Sequence, residues 1–114
     1  MSLPAPYVQV LQECGVPMME SLMVADVALL ADDAVDAAET LEGTGVAILG
    51  GDVFYATAQG FEMARANWHT KPNPGETAAE YVIRSIAETR DYIRRYQVPE
   101  NTTALFSMVV AQVF

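Results

Sequence analysis

No lysine or arginine occurs before Arg65, although ten carboxylates do: Glu13, Glu20, Asp26, Asp32, Asp33, Asp36, Glu39, Glu42, Asp52 and Glu62. All six bases (Arg65, Lys71, Arg84, Arg90, Arg94, Arg95) share the remaining fifty residues with five further acids, and the chain as a whole carries −9. A field this one-sided draws in cationic partners and repels polyanions. Nucleic acid is thereby excluded as a direct ligand, because duplex binding depends on protein cations releasing its counterions. Acidity also serves plain solubility. The sharper reading is a surface made to meet something basic.

Other shortages exclude as much. Cys14 is the only cysteine, so neither an intrachain disulfide nor a cysteine-based zinc site can form, and a reducing compartment is favoured. Its expected place is the apolar side of a short helix, as a small buried hydrophobe. His69 is the only histidine, too few for a transition-metal shell. Every apolar stretch is broken by charge well short of the ~20 residues that a membrane helix needs. No basic segment leads into an apolar one as in a secretion signal, so a cytoplasmic protein that does not engage membranes is expected. The glycine pairs lack the lysine and spacing of a phosphate-cradling loop. Neither metal nor cofactor is expected.

What the chain does have is a globular composition, 52% apolar and 18% charged over 114 residues. That suits one domain over residues 1–114, able to bury roughly 65% of its unfolded surface. Tyr7, Val10, Leu11 and Cys14 follow helical spacing up to Gly15. Residues 22–30 are ambiguous between helix and strand, with an extended segment ending near Leu30 preferred. A helix is predicted over 31–42, with Val35, Ala38 and Leu41 on one face and Asp32, Asp33, Asp36 and Glu39 on the other. Val46-Ala47-Ile48-Leu49 reads as a buried strand, resuming at Val53-Phe54-Tyr55 after Gly50-Gly51-Asp52. A hairpin turn at Gln59-Gly60 leads to a strand from Phe61 toward Trp68, and Lys71 to Gly75 is a loop. Thr77 with Glu80 has the capping-box pattern, opening a helix whose stripe is Val82, Ile86, Ile93 and Tyr96. On it Glu80 with Arg84 and Asp91 with Arg95 are spaced as ion pairs. Ala104 to Val113 reads as a closing strand. Helices and strands do not alternate strictly, so the expected class is α+β, a small and mostly antiparallel sheet packed with two to three helices.

Asp52 behind two glycines is the obvious catalytic suspect, with His69 as a general base. Against that, Gly50-Gly51-Asp52 reads more simply as a turn or bulge whose aspartate bonds nearby amides, and His69 as a lone surface histidine. The acids of the 31–42 helix are poorly placed for calcium, which needs a loop to wrap oxygens around the ion. They suit a solvated face or a face for a basic protein. Arg84, one step beyond the apolar stripe, is placed to reach a carboxylate or carbonyl across the sheet.

The run Val46-Ala47-Ile48-Leu49-Gly50-Gly51-Asp52-Val53-Phe54 resembles the core block of the immunity protein 40 family of bacterial polymorphic toxin systems. The likeness continues through Asn67-Trp68, Glu76, the string Tyr81-Val82-Ile83-Arg84-Ser85, and Tyr92-Ile93 with Tyr96, covering roughly residues 30–110. It implies an α+β antidote, without a catalytic centre, that binds and blocks a cognate toxin. Since many such toxins act on nucleic acid, the partner is expected to be basic. The expected toxin-binding residues are Asp32, Asp33, Asp36 and Glu39, with Tyr55, Trp68, His69 and the loop to Gly75 as anchors. Gly50, Gly51, Asp52, Arg84 and Ser85 are expected to be structural. The alternatives are a small hydrolase using Asp52 and His69, and an interaction domain with no inhibitory role. A homodimer is left open.

Overall fold

The computed structural model describes residues 3–22 and 26–114. Helix α1 (Ala5–Cys14) leads through a two-residue strand β1 (Val16–Pro17) and a single helical turn α2 (Met19–Leu22) to β2 (Val27–Leu30). Helix α3 (Ala31–Glu39) follows β2 with no intervening loop. A hairpin of β3 (Val46–Thr57) and β4 (Gly60–His69) comes next, then α4 (Ala78–Arg95) and β5 (Thr103–Gln112). The class is α+β, as expected, with five strands in the order β1-β2-β5-β3-β4, every neighbouring pair antiparallel. Strand β5 closes the chain yet fills a central slot between β2 and β3. The preferred extended segment ending at Leu30 is β2; residues 23–25 of that ambiguous stretch lie outside the described residues.

The two faces of the sheet are covered unequally. Val35 and Ala38 from α3, Leu41 from the turn that follows it, and Val82, Ile86 and Ile93 from α4 are buried with Ile48, Val53 and Phe106 in the main core. On the other face Met18 and Leu22 pack against Ala28, Phe54 and Leu105 in a smaller cluster. The predicted stripes of both long helices are thus the buried ones. The capping box of α4 is complete: Thr77 accepts from the Glu80 amide at 3.1 Å, and Glu80 accepts from the Thr77 amide at 2.9 Å.

Three local readings change. Of the two readings of Gly50-Gly51-Asp52 the bulge holds and the turn does not: the run lies inside the continuous strand β3, with a bulge between Ile48 and Gly50 where the pairing with β5 shifts. One extra residue there bends the strand without ending it. The Glu80–Arg84 pair does not form, because Glu80 is committed to its cap, and Arg84 turns instead to Glu76 and Glu88. Asp91 and Arg95 are not among the ion pairs of the described residues.

Candidate partner-binding surface

Strand β2 runs straight into α3, so the helix starts at Leu30 without a capping side chain. Asp32 and Asp33 in its first turn offset the exposed amides and the positive end of the dipole instead. The apolar positions Ala34, Val35, Ala37 and Ala38 turn inward. Asp32, Asp36 and Glu39 are left exposed, with Asp33 half-buried. Helix α1 packs alongside and adds Glu13 to this face. Cys14, expected inside, is exposed there, because the inward side of α1 is taken by Tyr7, Val10 and Leu11. Partial desolvation, then Asp33, Glu13 and Asp36, push the Cys14 thiol pKa up.

Not all of these carboxylates are free. Arg90 of α4 lies 3.7 Å from Glu39 and 3.6 Å from Glu42, loose and partly exposed pairs of small energetic value. Asp32, Asp33, Asp36 and Glu13 have no ion-pair partner among the described residues. Sequence spacing could group the α3 acids but gave no sign that α1 would set Glu13 beside them.

Next to the acidic face, the N-terminus of α3, the C-terminus of α4 and the start of β5 enclose an open groove of about 740 Å³. Val35, Ile93 and Phe106 form its floor, and Asp32 and Asp33 line one side. Two smaller grooves flank α4, one along Tyr92 and Tyr96 and one beside Ile83 and Arg90.

Asp52 and His69 share the sheet face opposite α3 and α4. Asp52 pairs with Asn67 on β4 and with Ser107 on β5, so His69 is its diagonal neighbour at roughly 7–8 Å. His69 is exposed, and neither residue lines any of the three grooves just described. Asp52 makes no side-chain hydrogen bond among the described residues; its side chain leaves the strand perpendicular to the amides it was expected to satisfy.

Two of the expected anchors point inward. Trp68 is only 7% exposed; its indole stacks on Tyr92 with centroids 4.8 Å apart, and its Nε1 donates to Thr89 Oγ1 at 3.0 Å. Tyr55 is half-buried with its hydroxyl bonded to that of Tyr96. Burial and that bond raise the Tyr96 pKa well above the ordinary tyrosine range. Both face α4 because they alternate in phase with Val53 on β3 and its partners. They hold the helix to the sheet and offer no ring to a partner. The Lys71–Gly75 loop is exposed as expected, but it is pinned: Arg84 donates to the Lys71 carbonyl, and Glu76 accepts from the Asn73 amide at 2.9 Å.

The family model of immunity protein 40 matches residues 11–110. The chain belongs to the immunity protein 40 family. No curated protein and no solved structure matches it. The match extends the resemblance back from residue 30 to Leu11, taking in the end of α1 and β2.

The two sequence blocks that resemble this immunity protein family meet in space. Ser85 Oγ accepts from the Ile48 amide at 3.0 Å, beside the bulge, and donates to Val82 O at 2.9 Å. Tyr81 OH donates to Thr70 O at 2.8 Å, and Thr70 in turn donates its hydroxyl to Ile48 O. Gly50 adopts φ +152, which disfavours any side chain, and a Cβ on Gly51 would come within 2.4 Å of the Trp68 ring. Arg84 does find a carboxylate and a carbonyl, but in the loop before its own helix: Glu76 lies at 2.8 Å from Nε and 2.9 Å from Nη2. Hydrogen bonding from Arg84, then from the Asn73 amide, holds the Glu76 pKa down at about 2. Ser85 and Tyr81 thus join α4 to the strand beside the bulge, and Arg84, still partly exposed, ties the helix to the loop before it.

Proposed function

We propose that this chain is a cytoplasmic immunity protein that binds a cognate, basic toxin domain and blocks it by occupancy, without turnover, metal or cofactor. The observation that carries the reading is the face formed by Asp32, Asp33, Asp36 and Glu13, whose carboxylates have no ion-pair partner among the described residues, in a chain of the immunity protein 40 family. Buried structural acids are ordinarily paired; a row left unpaired at the surface is suited to a partner that brings the opposite charge. The described residues contain no group of three or more histidine, cysteine or carboxylate side chains placed to hold a metal ion. Of the described residues, no helix is long and apolar enough to cross a membrane.

The test is association with the toxin domain encoded beside this chain's own gene. Wild-type protein should protect at a fixed stoichiometry, and chelator or dialysis should leave protection intact. Charge reversal by Asp33→Lys with Asp36→Lys should slow association about tenfold or more at low salt while leaving the fold unchanged. Sub-stoichiometric protection would instead mean that the chain destroys the toxin or its product, the chemistry once considered for Asp52 and His69. Binding without protection would make it an interaction domain.

A further inference from the structure

We infer that the groove between α3 and α4 is the slot for one long cationic side chain, arginine or lysine, projected by the cognate toxin. The inference rests on the immunity reading and adds the anchor through which the acidic face would act. Leu30 and Val98 at the groove's lip are each 47% exposed, so apolar surface is left in water above a floor of Val35, Ile93 and Phe106. Asp32 and Asp33 border the same groove and have no ion-pair partner among the described residues. An apolar trough edged by carboxylates matches a side chain with a methylene stem and a positive tip. A neutral apolar plug would desolvate the two carboxylates without pairing them, and an anion would be repelled. Arg94 also lines the groove, one positive charge against two negative, and the positive end of the α3 dipole and the negative end of the α4 dipole, which both open on it, oppose each other. Binding energy at interfaces concentrates where a side chain fills a pocket. On this surface the acidic face is convex, and the groove beside it is where a side chain can be enclosed.

The probes are N-acetyl-arginine methylamide, N-acetyl-lysine methylamide and the neutral N-acetyl-citrulline methylamide, each titrated into the ¹⁵N-labelled chain. The two cationic probes should shift the amide resonances of Leu30, Asp33 and Ala104 saturably, on the order of millimolar, and the neutral one should not. Asp32→Asn with Asp33→Asn should abolish those shifts without disturbing the fold, as should Val98→Arg, which sets a cation of the chain's own at the groove's exposed lip. The same variants should weaken toxin binding about tenfold or more, chiefly through faster dissociation. Equal shifts from the citrulline probe, shifts confined to other residues, or unchanged toxin affinity in both variants would overturn the proposal. Cationic probes that bind the groove while wild-type protein ignores the toxin would sink the immunity reading itself, because the titration does not involve the toxin.

Discussion

Ser85 shows how much one hydroxyl can decide. It satisfies the Ile48 amide beside a strand bulge and is itself fully buried. Ser85→Ala leaves that amide without a partner, a loss of about 1–3 kcal/mol, to be read as a lower urea midpoint at unchanged slope. Gly51→Ala should be worse, since the added carbon would lie 2.0 Å from the Ser107 carbonyl as well as against Trp68. Its Trp68 fluorescence should shift as the indole is pushed off Tyr92. Glu76 gives a prediction in pH. Its folded pKa, about 2, lies below the ordinary carboxylate value, so the folded state binds that proton less readily than the unfolded one. Its contribution to stability is therefore fully present above about pH 4.5 and is lost as pH falls toward 2. Glu76→Gln should be less stable than wild type at neutral pH, and the gap should close in acid. A gap that stays constant down to pH 2 would show that Arg84 gains nothing from the Glu76 charge.

At the scale of elements, legibility followed the range of the interaction. The capping box, the stripe Val82-Ile86-Ile93 and the hairpin near Gln59-Gly60 are written in neighbouring residues, and the structure carries all three. The bulge at Gly50 was legible only as one of two readings, and the pairing with β5 decides it. The inward turn of Tyr55 and the approach of α1 to α3 depend on what packs across the sheet, and spacing shows neither. The same limit divided the expected site. Acids on one face of α3 follow from helical period alone, whereas an exposed tryptophan and a buried one have the same sequence. Packing of α1 on α3 also makes Cys14 a reporter of the local field. Each rate taken relative to that of free cysteine, its thiol should be slowed more toward the anionic reagent 5,5′-dithiobis(2-nitrobenzoate) than toward cationic cystamine. Added salt should narrow the difference by screening. Asp33→Asn should accelerate both reagents by increasing the thiolate fraction. Equal relative rates for the two reagents at low salt would mean that the carboxylates around Cys14 set no appreciable potential.

Across the whole molecule, the net charge of −9 is less informative than where it is left unbalanced. Among the described residues, two of the six bases are drawn into internal pairs, Arg84 with Glu76 and Glu88, and Arg90 with Glu39 and Glu42. The body measures 45 × 26 × 22 Å, while the screening length at physiological salt is only about 8 Å. A charge at one end is therefore scarcely felt at the other, and steering at that salt must come from the face nearest the partner. Two variants with the same change in net charge separate the local from the global effect. Asp33→Asn with Asp36→Asn removes two acids from α3; Asp52→Asn with Glu62→Gln removes two from the sheet, away from the groove. At physiological salt the first pair should slow toxin association several-fold more than the second. Near 0.01 M salt, where screening extends to about 30 Å, the two should converge as distant charges begin to contribute. Stopped-flow association rates across a salt series would decide the matter. Equal effects at physiological salt would locate the contact away from α3, and a larger effect from the Asp52 and Glu62 pair would move it toward the open edge of the sheet.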